Sequence, residues 1–166
     1  MILATFDTLA YHLFRISYKD TVFELPNEDE AVLPEECLFC IKLGRLDAKI
    51  GDKLTMLYDF GCDQEFEIEI TNIEPMAKGT GRAYPKILAG EGKGILDDVP
   101  AFETLEVIKD TDKNGTSVYT YFTKHETEMI WYYRNYDLKA DNTLLKGEIE
   151  QIAECYSVFE AYLDFE

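Results

Sequence analysis

The chain has 166 residues, of which 33 are acidic and 16 basic, giving a formal charge of −17; hydrophobic residues make up 46% and aromatics 13%. This length and apolar content suit a single folded domain, residues 1–166, able to bury roughly two-thirds of its unfolded surface, and exclude a disordered chain. The negative field repels phosphate backbones and anionic lipid, so direct nucleic-acid or membrane binding is not expected, while a basic protein partner or a metal cation is compatible.

The first stretch, MILATFDTLAYHLFRISY, has no positive n-region and no small-residue cleavage site, and Asp7 interrupts its apolar run. It reads as neither a signal peptide nor a spanning helix, which predicts a cytoplasmic protein with reduced cysteines. Ile2, Leu3, Phe6, Leu9 and Ala10 fall at helical spacing. HLFRISYKDTVFEL then has the β-branched and aromatic content of a strand pair that turns near Lys19-Asp20. ELPNEDEAVLPEE follows as an acidic, proline-bounded loop, and CLFCIKLGRL as a short apolar turn.

Gly51-Asp52 marks a tight turn into the clearest hairpin, about residues 54–60 and 65–73. KLTMLYDF alternates Leu54, Met56, Tyr58 and Phe60 on one face. EFEIEI alternates Phe66, Ile68 and Ile70 against Glu65, Glu67 and Glu69. Tyr58, Phe60 and Phe66 are expected as core anchors, with Asp59 facing away and bonding turn amides. Gly61 sits in the connection, where a positive φ costs it nothing.

Gly79, Gly81, Gly90, Gly92 and Gly94 punctuate a long irregular loop. DDVPAFETLEVIKD predicts a helix capped by Asp98 with Pro100 in its first turn, a strand at Thr104–Ile108 being the rival reading. Asn114-Gly115 is a turn and TSVYTYF a short strand. From Asp141 to about Tyr162, Leu145, Ile149, Ile152, Tyr156 and Phe159 form the apolar stripe of an amphipathic helix. Together these elements predict an α+β fold: a mixed, mainly antiparallel sheet around the hairpin, packed by helices.

Motifs that suggest chemistry fail on their companions. Asp59-Phe60-Gly61 spells a kinase magnesium motif, but the glycine-rich loop, strand lysine and catalytic-loop aspartate that a kinase needs are missing. LAGEGKG has Ile87 and Gly94 where a phosphate loop requires glycine and a hydroxyl. Cys37 and Cys40 form a CxxC, yet Cys62 and Cys155 stand singly and the flanks are apolar, which suits buried thiols better than zinc ligands. His12 lies between apolar neighbours, where a hydrogen-bonded structural histidine is the expected fate; His125 is the other histidine. Trp131 reads as core in preference to a pocket wall. No catalytic residue, metal site or cofactor is assigned.

GDKLTMLYDFGCDQEFEIEITNIEP followed by YPKILAGEGKGILDD resembles the plasmid pRiA4b Orf-three-like family, which also includes passenger proteins of insertion elements. The resemblance extends to TFDTLAYHLFRISY upstream and NYDLKADNTLLK downstream. It departs where Gln64 replaces the family's tryptophan, and where ILDDVPAF shortens a Pro-Pro-Glu-Asp-Cys-Gly-Gly-like loop. The family's opening strand is also missing, which predicts an unpaired sheet edge covered by a second copy or a partner. The resemblance implies an α+β fold without an established activity.

The expected function is therefore a non-catalytic protein-interaction or small-ligand-binding module. Its binding residues are sought in the glycine loop 79–98, including Asp97 and Asp98, and near the hairpin turn at Asp59, Asp63 and His12. The alternative is a metal-dependent hydrolase or nuclease-like accessory of a mobile element, with those four aspartates and His12 converging.

Overall fold

The computed structural model describes residues 1–6, 8, 10–26, 33–75, 85–92, 94–115, 119–122, 128–131, 133–134 and 136–163. Leu9, much of the acidic loop, Gly79, Gly81, the start of TSVYTYF and His125 lie outside the described residues. The chain divides into two compact units. One comprises Met1–Tyr11 with Tyr84–Cys155, the other His12–Ala83 with Tyr156–Glu166.

The second unit is built on an antiparallel sheet of β1 (Phe14–Tyr18), β2 (Thr21–Glu24), β3 (Lys53–Tyr58) and β4 (Gln64–Glu69), in the order β2-β1-β3-β4. Its register lines up Phe23, Ile16, Met56 and Phe66 as successive cross-strand partners, and Tyr18, Leu54 and Ile68 in the next row. Period-two alternation sends both rows to one face, where Tyr18, Phe23 and Leu54 form a buried cluster joined by Leu38, Ile41 and Leu46. Each fully buried side chain of this size contributes about 1.5–3 kcal/mol. Glu65, Glu67 and Glu69 occupy the exposed face, and Lys53 reaches Glu67 at 2.9 Å.

The expected hairpin is thus present but shorter, ending at Tyr58 and Glu69. Among the described strands every pairing is antiparallel, in keeping with a mainly antiparallel sheet, and the parallel element is an isolated bridge between Glu24 and Cys37. That bridge lines the outer side of β2, through Glu24 N–H to the Glu36 carbonyl and Leu38 N–H to the Glu24 carbonyl. Cys37 is buried there. Desolvation, and then the neighbouring Cys37 thiol, push the Cys40 thiol up from its ordinary pKa, the direction of an unreactive pair.

A polar clamp closes the Lys49–Asp52 turn. The Asp52 carboxylate accepts from the Tyr18 hydroxyl and from the Lys49 amide at 2.9 Å, and Lys19 lies 3.6 Å away. The Tyr18 bond, then the Lys49 amide, hold the Asp52 pKa below the usual carboxylate range. Tyr156, the last residue of the C-terminal helix, belongs to this unit; its hydroxyl donates to the His12 carbonyl at 2.5 Å and its ring meets Phe14 edge-on at 5.0 Å.

The first unit contains α1 (Ile2–Thr5), α2 (Ala101–Lys113), the antiparallel pair β5 (Tyr119–Phe122) and β6 (Glu128–Trp131), and α3 (Leu138–Tyr156) up to Cys155. Helix wins over strand in α2 despite its Val and Ile. Pro100, rather than Asp98, is the N-cap residue and makes no side-chain cap, so the expected Asp98 cap is corrected. Asp98 instead takes a φ of +62° in the turn before the helix and accepts from the Tyr11 hydroxyl. α3 starts earlier than its apolar stripe suggests, because Asp137 Oδ1 accepts from the amides of Lys139 and Ala140 at 3.0 Å each, an N-cap in all but name. Its stripe of Leu145, Ile149 and Ile152 is covered as expected, and Ser157–Tyr162 tightens into a 3₁₀ turn.

Candidate functional site

The hairpin connection places three of the expected site residues, and it places them differently from the alternation. β3 ends at Tyr58, and Asp59 enters the left-handed region at φ +53°, which aspartate tolerates because its short side chain bonds locally. The reversal turns Asp59 inward, 5% exposed, and Phe60 outward, 46% exposed. Phe60 is therefore not a core anchor. It lies under the Arg15 guanidinium, 5.5 Å from the ring centroid. Nor does Asp59 face away from the core. Its Oδ1 accepts from the Gly61 amide at 3.3 Å, the turn-amide bond expected of it, and its carbonyl accepts from the amides of Cys62 and Asp63.

Gly61 needs no positive φ; Asp59 and Asp63 supply the left-handed residues instead. Tyr58 and Phe66 are buried as anchors. His12 and Asp59 meet at 3.4 Å, Nε2 to Oδ2, with the His12 ring edge-on to Tyr58 at 5.6 Å. Asp63 is exposed in the same loop. Asp97 and Asp98 belong to the other unit, Asp97 buried and Asp98 bonded to Tyr11. Within its own unit each group thus has a local structural role or an exposed place.

The glycine loop builds a different kind of site. Ile87 is anchored to α3 by two hydrogen bonds with Asn142, its amide donating to Oδ1 and its carbonyl accepting from Nδ2, both at 2.9 Å. Further along, the Ile95 amide donates to the Phe6 carbonyl at 3.2 Å and so holds the N-terminal segment beside the loop. Between these anchors Gly90 passes directly beneath the Tyr136 ring, so close that a β-carbon there would collide with it. Gly92 adopts φ +70°, with the Tyr133 carbonyl 3.2 Å from where a β-carbon would stand. Only glycine brings backbone this near to two tyrosines.

The result is a cavity of about 480 Å³ walled by Phe6, Ile108, Trp131, Tyr133 and Tyr136, with the glycine loop as its remaining side. Such a volume lies in the range of small-molecule sites, roughly 300–1,000 Å³. Leu96, Trp131 and Tyr133 pack as a buried cluster behind it, so Trp131 is at once core and wall. Tyr133 is fixed from outside: its hydroxyl donates to Asp112, which also takes the Arg134 guanidinium, and Arg134 lies over the Tyr133 ring at 5.4 Å. These bonds hold the Asp112 pKa low and the Arg134 pKa high.

Tyr136 contrasts with Tyr133. Its hydroxyl oxygen is covered yet has no hydrogen-bond partner among the described residues, and desolvation, with the nearby Asp141 charge, pushes the phenol up. A covered polar atom left without a partner costs about 1–3 kcal/mol, and Thr8 Oγ1 in the same unit is in the same position among the described residues. A smaller cavity of about 240 Å³, beside Thr8, Gln151 and Cys155, lacks aromatic walls. The aromatic lining was largely hidden in the sequence. Trp131 had stood out, whereas Tyr133, Tyr136 and Phe6 had not; the dense run MIWYYRNY was the available signal.

Fold and site together define an α+β protein with an aromatic cavity closed by a glycine loop. The family model described as Plasmid pRiA4b ORF-3-like protein matches residues 1–143, and the chain belongs to that family. No curated protein and no solved structure matches it.

Proposed function

We propose that the protein is a non-catalytic small-ligand-binding module and that the cavity beneath Tyr136 is its pocket. One observation carries the reading: an aromatic-walled space of ligand size at the glycine loop the sequence had singled out. A cytoplasmic location and service to a mobile element accord with the family resemblance, as proposals. Among the described residues no helix is long and apolar enough to cross a membrane.

The chain has one tryptophan, and it lines the cavity, so its fluorescence reports occupancy directly. Titration with small phenyl compounds should change Trp131 emission saturably and raise the melting temperature. A strictly linear, non-saturating response to every compound would overturn the reading.

A second reading, self-association, draws on β4, which is hydrogen-bonded to β3 alone among the described strands. Its face carries Glu65, Glu67 and Glu69, so pairing of two copies opposes like charges. A dimer formed this way should strengthen with salt, and light scattering at low and high ionic strength would show it. The metal-dependent alternative rests in the sheet unit on the His12–Asp59 pair. It requires Mg²⁺ or Mn²⁺ at millimolar concentration to raise the melting temperature; no shift sinks it.

A further inference from the structure

We infer that the cavity selects a small organic cation: a protonated amine or guanidinium carried on an apolar or aromatic body. The inference rests on the cavity being a ligand site and names the class of ligand it takes.

Two features of the walls point the same way. Phe6, Trp131, Tyr133 and Tyr136 present aromatic rings around the space, and ring faces attract cations through their negative quadrupole. The charged residue among the described lining residues is the acidic Glu91, which is exposed.

The charges around the site agree. Arg134, next to the wall residue Tyr133, is paired with Asp112 and bonded to the Tyr133 hydroxyl. Its guanidinium over the Tyr133 ring is already an instance, within the protein, of the contact proposed for the ligand. An anionic ligand would meet aromatic faces, Glu91 and a chain of net charge −17. Such a field repels anions and concentrates cations at the mouth of a cleft.

The test uses three phenyl compounds of similar size and different charge: 2-phenylethylamine, 2-phenylethanol and phenylacetate. Each is titrated into the full chain with Trp131 fluorescence and melting temperature as readouts. The amine should bind at least about tenfold more tightly than the alcohol, with phenylacetate weakest, and added salt should narrow the gap. Glu91→Gln, at an exposed position that folding does not depend on, should weaken the amine about threefold to fivefold and leave the alcohol unchanged. Tyr136→Leu takes one aromatic ring from the wall while keeping an apolar side chain, and should lose more affinity for the amine than for the alcohol. Equal binding of amine and alcohol, or tightest binding of phenylacetate, would overturn the cation inference and leave the pocket standing. Saturable binding of none of the three, to millimolar concentration, would overturn both.

Discussion

The hairpin connection and the glycine loop use the same residue types to opposite ends. Between Tyr58 and Gln64 the chain wraps around the Asp59 carbonyl, Tyr58 is fully buried, and the Asp59 carboxylate takes the Gly61 amide on Oδ1 and sets Oδ2 against His12. Between Ala89 and Gly94 the chain stands beside tyrosines without filling the space they enclose, and leaves the Tyr136 hydroxyl unanswered. The stretch that spells a catalytic motif is a turn. The stretch with no complete motif surrounds a cavity. A letter pattern carries chemistry only when the backbone leaves its polar groups something to do besides hold the fold.

The contrast can be broken most severely on the sheet side. Leu54→Ala removes a buried side chain from the centre of the Tyr18–Phe23–Leu54 cluster and should cost about 2–5 kcal/mol in urea-induced unfolding. A loss below about 1 kcal/mol would mean that the cluster collapses around the gap, and that the sheet is less tightly specified than its register implies.

On the loop side, Gly90→Ala puts a methyl group into the Tyr136 ring and should cost about 1–3 kcal/mol as the ring is driven aside. Gly61→Ala is the matched control. A methyl there meets Asp59 Oδ1 at an ordinary 3.5 Å, and the change should stay within about 0.5 kcal/mol in thermal unfolding. Equal effects from the two glycines would erase the distinction between a glycine required by close approach and one that merely occupies a turn.

Asp59 sharpens the comparison further. Asp59→Ala combines a left-handed φ with loss of the Gly61 bond and should destabilise by about 1–2 kcal/mol, whereas Asp59→Asn, which tolerates the same φ and keeps an acceptor, should cost less. The reverse order would show that the charge beside His12, not the turn, is what the position serves.

The smallest expected effect is in acid. Asp52 and Asp112 both have pKa values depressed in the folded state, by Tyr18 in one unit and by Tyr133 with Arg134 in the other. A depressed carboxylate adds stability that is fully present above its unfolded pKa, about 3.9, and is lost as pH falls through the lower folded value. Melting temperatures measured from pH 5 downward should therefore fall below about pH 4. Asp52→Asn and Asp112→Asn should each flatten that decline, modestly, because both carboxylates are solvent-accessible.

Much of the fold was legible from periodicity. Leu54, Met56 and Tyr58 against Phe66 and Ile68 declared the hairpin, Lys19-Asp20 its neighbour's turn, and Leu145, Ile149 and Ile152 the helical stripe. The site was less so. Phe60 was misplaced because alternation assumes continuous extended backbone, and a single left-handed residue at Asp59 shifts the side-chain phase of everything after it. The α2 cap was misassigned because Asp98 had a distant partner, Tyr11, that no local pattern announces.

The sequence by itself determined the α+β class, the sheet's apolar face and its carboxylate face, the failure of the kinase and phosphate-loop readings, and the family. These depend on spacing along the chain, where the period of side-chain direction is fixed by local backbone geometry. Only the tertiary structure decided that Asp59 turns inward, that Gly90 runs beneath Tyr136, and that Phe6 joins Trp131 around an open space. Those depend on contacts between residues tens of positions apart, set by packing of whole elements rather than by any preference the residues carry individually.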